Sequence, residues 1–494
     1  MEETVLLYTI LTILFLLLTL KLLTTKKQWK NNLPPSPPSF PIIGHLHLLK
    51  QPIQRTLENL SKKYGPIISL RFGSRQVILV SSPSAVEECF TKSNDRILAN
   101  RPHFLMGKYS NYNNTTLVTA NYGDHWRNLR RISAVEIFSS TRLNNFETVR
   151  KDEVNSLLRK IYKISSRGFA KVNLRSMFFD LTVNIMMRMI AGKRCEEDEE
   201  TGLKIREIVV EFFGYTEMTH VGDLFPSFEW FDYNGFIKKI IGFSGKLDLF
   251  LQGLIDEHRM DQDRNSMINH LLALQELQPD YYSDEIIKGL VLVMLVGGID
   301  TTAVALEWAI TNLLNNSNVL KKAYDEINDK IGEERLINES DLTELKYLQS
   351  IIYENLRLCP VAPLLIPHVA SNDCTVGGFH VPANSMVIVN MWEIQRDPNL
   401  WDDPTCFKPE RFENGKVDGF KLLPFGFGRR SCPGEGLANK EMGLALGSLI
   451  QCFEWERIGG KEIDMTEKTT ATMSKVEPLE VLCKARPILH ELLS

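Results

Sequence analysis

The chain has 494 residues, 44% of them hydrophobic and 24% charged, with 57 Lys and Arg against 61 Asp and Glu for a formal charge of -4. That composition excludes a disordered chain and supplies a large packed core. A near-balanced charge and a pI near 6.3 leave no basic footprint for neutralising phosphates, so nucleic acid is not an expected partner.

The first element decides the expected localisation. Thr4 to Leu20 carries no charge, and as a helix it would rise about 26 Å, close to a hydrocarbon core about 30 Å thick. Glu2 and Glu3 stand where a signal peptide would be basic, and no small-residue cleavage site follows. Lys21, Lys26, Lys27 and Lys30 come next, so the positive-inside rule places the remainder in the cytosol and makes residues 1–30 a single-pass membrane anchor. Leu33 to Pro41 (LPPSPPSFP) is proline-dense; proline fixes φ and lacks a donor, so residues 31–45 are expected to form a stiff, extended hinge. No Gly/Ser-rich or like-charge linker follows, and residues 46–494 are expected to form one body.

Ile67 to Leu70 and Gln76 to Val80 flank Phe72-Gly73-Ser74-Arg75, the pattern of a hairpin in a small sheet. Asn113-Asn114-Thr115-Thr116 matches glycosylation sequons, which matter only for a lumenal domain. Ile286 to Asn315 reads as a long helix capped by Ser283, with Asp284 and Glu285 at the positive end of its dipole. Further helical patterns occupy Val319 to Ile331, Leu342 to Leu358 and Gly434 to Phe453, giving a mainly α fold with minor β. The 8 cysteines are scattered without a CxxC pair, as expected in a reducing compartment.

Two segments hold residues that packing alone does not explain. Gly297 and Gly298 lie inside the long helix, where each costs about 1 kcal/mol relative to Ala. Asp300 and Thr301 follow in an otherwise apolar stretch, an expensive placement unless the pair is used. Phe425 to Gly434 reads FGFGRRSCPG, a glycine-rich loop that reaches Cys432 where a helix begins. Free backbone N–H groups at that helix start, with Arg429 and Arg430, favour a thiolate, and the glycines let the backbone approach a flat cofactor.

At Phe425, Gly428, Arg430, Cys432 and Gly434 this loop resembles the FxxGxRxCxG haem-binding loop of the cytochrome P450 family. Gly297-Gly298-Ile299-Asp300-Thr301 resembles the family's AGxDT oxygen-binding groove, with Gly297 in the place of the more frequent Ala. Glu354 and Arg357 resemble its ExxR element, Arg411 its PERF element, and Trp126 with Arg130 its WxxxR element. The resemblance implies a P450 fold holding haem b, with Cys432 as the iron ligand and Phe425 and Gly434 in the loop around it. It further implies that Arg430, Trp126 and Arg130 reach the propionates, with His368 near the second. Asp300 and Thr301 would relay protons, while Glu354, Arg357 and Arg411 would form a buried network behind the loop. By the same analogy Met294, Gly297, Gly298, Val361, Leu364, Leu365, Thr472 and Met473 line the substrate pocket. A thiolate ligand pushes electron density onto iron and favours O–O cleavage, so the implied chemistry is oxygen activation.

No GxGxxG unit or Walker-type loop is present to hold a nucleotide, so both electrons are expected from outside. The resemblance implies a membrane-bound NADPH–cytochrome P450 reductase as donor and admits cytochrome b5 beside it. Tyr122 to Ile132, the LPPSPPSFPIIGHL run and Pro424 to Ala438 are most similar to plant endoplasmic-reticulum enzymes of the group with isoflavone hydroxylases and lignan methylenedioxy-bridge oxidases. The expected function is an NADPH- and O2-dependent monooxygenase that hydroxylates or oxidatively cyclises an apolar plant specialised metabolite, with an isoflavone or lignan favoured. The alternatives are an alkaloid or triterpenoid substrate, a reductase-independent peroxide-rearranging haem-thiolate enzyme, and a non-catalytic haem-binding membrane protein.

Overall fold

The structure is a computed structural model that describes residues 8–16, 32–195, 199–261, 266–413, 415, 420–468 and 472–489. Of the expected anchor, residues 8–16 are described; they are helical, and all of them, Phe15 and Leu16 included, are exposed. The rest of Thr4 to Leu20 and the four following lysines lie outside the described residues. The proline stretch is extended, as its composition requires, but it lies docked on the body. Pro34 and Pro37 are buried, the Ser69 N–H donates to the Pro35 carbonyl at 2.8 Å, and His45 binds the Pro37 carbonyl at 2.9 Å.

The body is mainly helical, with three small sheets of four, three and two strands among the described residues. Strands β1 (Ile67–Phe72) and β2 (Arg75–Val80) form the expected hairpin, paired antiparallel from Ile67–Val80 to Phe72–Arg75. Gly73 turns it at φ 61°, where a side chain would also collide with the Leu224 carbonyl. Two further strands, β3 (His368–Val369) and β4 (Met386–Val389), complete the order β1-β2-β4-β3, with β2 and β4 parallel. His368 therefore stands on an edge strand, its ring against Phe90.

Six helices frame the centre: α1 (Asp124–Ile132), α2 (Glu147–Ser165), α3 (Leu174–Ala191), α4 (Asp284–Asn315), α5 (Lys346–Leu358) and α6 (Glu435–Cys452). Helix α4 starts at Ser283, whose hydroxyl accepts the Ile286 N–H, and Asp284 is held as a carboxylate by Arg259 at 2.5 Å. Its 32 residues run about 48 Å through the core. Among the described residues it is the one helix long and apolar enough to cross a membrane, but its most apolar window is 67% buried inside the protein, so it is a core helix. Helices α3, α5 and α6 pack on it. The two glycines of α4 have different reasons. At Gly298 a Cβ would meet the Met186 sulfur at 2.6 Å, so this glycine lets α3 close onto α4; at Gly297 nothing lies within 4 Å.

Candidate active site

Helices α4 and α6 are buried for most of their length, and the openings in that packed region are therefore informative. Gly297 is exposed and Thr301 half-buried in the middle of α4; Cys432 is accessible just ahead of α6, although protein crowds it from most sides. A sulfur that is both accessible and closely surrounded lies at the floor of a cleft. The Cys432 N–H donates to the Phe425 carbonyl at 2.8 Å, which closes the loop, and Gly426 and Gly428 take φ of 68°. Gly428 admits nothing larger, because a Cβ there would strike Asp95 and the Phe90 carbonyl. Burial raises the Cys432 thiol; the Gly434 N–H opposes this, the Glu435 carboxylate adds to it, and the Arg130 guanidinium and Glu435 N–H pull it down. From the sequence that help is expected of Arg429 and Arg430. Arg429 instead pairs with Asp95 at 3.2 Å and reaches the Tyr122 hydroxyl, while Arg430 serves three carbonyls, so Arg130 is the cation that acts on the sulfur.

Beside the loop lies a cluster of cationic and basic groups without acids. Arg130 donates to the Ser431 carbonyl at 2.7 Å; Arg430 donates to the carbonyls of Ala99 at 2.7 Å, Leu117 at 3.2 Å and Ala120. Arg101 donates to the Ile366 and Pro367 carbonyls, and its buried Nε has no partner. None of these three guanidinium groups pairs with a carboxylate among the described residues. Burial, with Arg130 nearby, lowers the Arg430 guanidinium to about 9. Burial also holds His368 well below the ordinary imidazole value, as do Arg101 and Arg430, against the Leu98 carbonyl bonded to Nδ1 at 2.8 Å. Such a set is costly unless an anion joins it. Converging guanidinium groups suit carboxylates, so the cluster fits a flat cofactor carrying two of them, next to an accessible sulfur. Trp126 frames this cluster by another route: its ring lies 4.5 Å from the Arg430 guanidinium, and its N–H donates to the Leu117 carbonyl at 3.1 Å.

Behind the loop Glu354 and Arg357, both fully buried on α5, form a bidentate pair at 2.6 and 2.8 Å. The same carboxylate accepts Arg411 at 3.3 Å and the Lys408 N–H at 2.8 Å. Arg357 then donates to the carbonyls of Gln395, Pro404 and Cys406. Gln395, which the sequence reading passed over, completes the link: its amide N–H groups bind the Leu356 and Arg357 carbonyls, and its Oε1 accepts the Leu423 N–H at 3.0 Å, two residues before Phe425.

The cytochrome P450 family pattern matches residues 34–483, nearly the whole described body. This chain belongs to the cytochrome P450 family. P450s carry haem ligated by a cysteine thiolate, which supplies oxygen activation when bound, and this chain is a P450 monooxygenase of the 81 group. It is 50% identical to cytochrome P450 81Q32 of Catharanthus roseus, over 100% of this chain and 99% of that one. It is 48% identical to the (+)-piperitol/(+)-sesamin synthase CYP81Q2 of Sesamum radiatum, over 99% of each. With the isoflavone 2'-hydroxylase of Glycyrrhiza echinata the identity is 49%, over 93% of each.

The expected pocket set of this P450 divides in the structure. Val361 and Met473 are joined by the Met473 N–H to the Val361 carbonyl at 2.8 Å, and Thr472 stands beside them. Met294 turns elsewhere, to a small cavity with Met189, Glu136 and His270, and Gly298 faces Met186. Leu365, at φ 53°, packs into the cluster around Phe90 and Leu98, and Leu364 into the one around Leu57 and Phe72, which leaves Ile366 exposed at 48%. Helical period identifies a face but not the neighbour across from it, so these positions needed the fold. Asp300 and Thr301 do not bond to each other: Thr301 donates back to the Gly297 carbonyl at 2.6 Å, and Asp300 accepts from Thr472 at 2.9 Å.

Proposed function

We propose that this P450 takes electrons from an NADPH-dependent reductase, with cytochrome b5 as an auxiliary donor, and oxidises a largely apolar phenylpropanoid of the isoflavone or lignan type by hydroxylation or ring closure. Cys432 is the iron ligand in this reading, Arg101, Arg130, Arg430 and His368 hold the propionates, and Glu354, Arg357 and Arg411 keep the loop in place. What supports the substrate class is the pair Val361 and Met473, joined through the backbone at 2.8 Å and tied by the Thr472 hydroxyl to Asp300, three residues from the exposed Gly297; the pair is apolar and Thr472 is its polar neighbour, which suits flat rings oriented by few polar groups. Relatives at 48–49% identity named isoflavone 2'-hydroxylase and piperitol/sesamin synthase support the same class. Titration of microsomes carrying this protein and a reductase with isoflavones, lignans, alkaloids and triterpenes is the test. A type I shift with turnover on isoflavones or lignans is expected; turnover on an alkaloid or triterpene alone overturns the substrate class.

Asp300 and Thr301 relay protons to the oxygen-binding face in this reading. Thr301→Ala is expected to leave the substrate-induced spectral shift near that of the parent while product per NADPH falls and hydrogen peroxide rises. General acid–base effects of this kind are worth roughly 10²- to 10⁴-fold, and bulk water entering the opened site keeps the loss toward the lower end. Unchanged product per NADPH removes Thr301 from the relay.

Residues 1–30 anchor the protein in the endoplasmic-reticulum membrane in this reading, the body facing the cytosol; the exposed apolar helix at 8–16 supports it. Phe40, Ile42, Phe228 and Trp230 are exposed on segments that meet the β1–β2 hairpin, Phe40 through Arg71 at 2.9 Å and the 224–230 segment through the Ser74 N–H to the Leu224 carbonyl. These residues would rest on the same surface. Deleting Met1 to Lys30 is expected to lower, but not abolish, retention on carbonate-washed microsomes; full retention argues against a single anchor.

A further inference from the structure

The segment after Thr472 is fastened along α4 by several polar contacts. The Trp308 indole donates to the Met473 carbonyl at 2.6 Å, and the Leu479 N–H donates to Glu307 at 2.8 Å. Arg175 joins Glu307 at 3.0 Å and the Lys475 carbonyl at 2.8 Å. On its other side the Met473 N–H holds the Val361 carbonyl. These anchors end on Trp308, Glu307, Arg175 and Val361, none of which takes part in the proposed proton relay. The remaining contact is different, because it runs from the Thr472 hydroxyl to Oδ2 of Asp300 at 2.9 Å.

We propose that Thr472 is a positioning residue for Asp300, so that one side chain of the substrate-facing turn also sets the orientation of the proton-relay acid. This rests on the relay reading given above. The turn is immobilised against α4 by Trp308 and against the pocket wall by Val361, so its hydroxyl is delivered to the carboxyl from a fixed direction. One carboxyl oxygen is engaged, and Oδ1 has no hydrogen bond within the described chain, which leaves it to exchange a proton with water. Burial raises the Asp300 carboxyl, while the Thr472 hydroxyl, Arg175 and Lys468 pull it down; the Glu217 carboxyl, itself raised by burial and by Asp300, faces the same group. A substrate that pushes the turn aside would misplace Asp300 without leaving the pocket. Poor fit is then read out as lost coupling rather than lost binding.

The test compares T472V, T472S and D300N in the full-length holoenzyme with reductase. At saturating substrate T472V is expected to lower product per NADPH several-fold and to raise the solvent deuterium isotope effect. The acidic limb of its coupling–pH profile should move to higher pH, since a bond that lowers the Asp300 carboxyl is gone; T472S should restore all three. Thermal midpoints supply a readout independent of turnover: T472V and D300N should each lower the midpoint, and the double variant no further than the larger single drop. Additive drops, or T472V coupling equal to the parent where D300N is impaired, overturn the positioning role and leave the relay standing. D300N with parental coupling overturns the relay itself. Should T472V fail to accumulate, T472A carries the same comparison.

Discussion

Replacing Cys432 with alanine is expected to abolish the red-shifted Soret band of the ferrous–CO complex. Alternative thiols are badly placed. Cys89, Cys195, Cys359, Cys374, Cys452 and Cys483 are buried, and burial pushes Cys359, Cys374 and Cys483 up to about 11 and Cys452 to about 12. Cys406 is exposed but lies in the loop whose carbonyls Arg357 holds, with no helix N-terminus behind it. No other sulfur can therefore take over, and activity should vanish with the band even if haem is retained by the cations. A variant that binds haem and keeps the band would transfer the ligand role away from Cys432.

Glu354→Ala should be the most damaging change made away from the cleft. The pair it breaks is fully buried, and removal of one partner strands the other; losses of about 3–5 kcal/mol are typical, against a total stability of about 5–15 kcal/mol. Here the stranded group is Arg357, and Arg411 and the Lys408 N–H lose their acceptor as well. Arg357→Lys should not behave as a conservative change, because an ammonium cannot hold Glu354 and three carbonyls in one plane. The expected result is a sharply lower urea midpoint for haem release and low yield of holoenzyme. A midpoint equal to that of the parent would show that the network is dispensable.

Local signals in the sequence carried much of the architecture, and pairings across the chain were hidden. The hairpin at Ile67–Val80 and the start of α4 at Ser283 were legible because turn glycines, caps and periodic burial act within a few residues. The start of α5 was less so: the pattern predicts one helix over Leu342 to Leu358, but Glu339–Thr343 is a separate 3₁₀ turn and α5 begins at Lys346. Arg101 was not singled out, although an arginine followed by proline after the apolar Ile97-Leu98-Ala99 run was a usable signal. Gln395 gave none, since its role depends on Leu423 and Arg357 arriving from elsewhere. The same holds for Thr472 and Asp300, 172 positions apart. Gly297 and Gly298 looked equivalent in the sequence; only the approach of Met186 separates an opening from a packing contact.

The unpaired cations around the loop also bear on how this protein is made in a cell. Arg430 faces both Arg101 and Arg130, and the described residues contribute no carboxylate to offset them, so in the proposed reading part of the work of closing this region falls to the incoming haem carboxylates. Binding to the folded form alone stabilises it by mass action, which ties the yield of mature protein to the supply of haem during synthesis. Newly made chains should accumulate poorly when porphyrin is scarce, and added salt should rescue them little, because buried charges are screened far less than exposed ones. A recombinant host enriched in haem precursor is then expected to raise the yield of holoprotein.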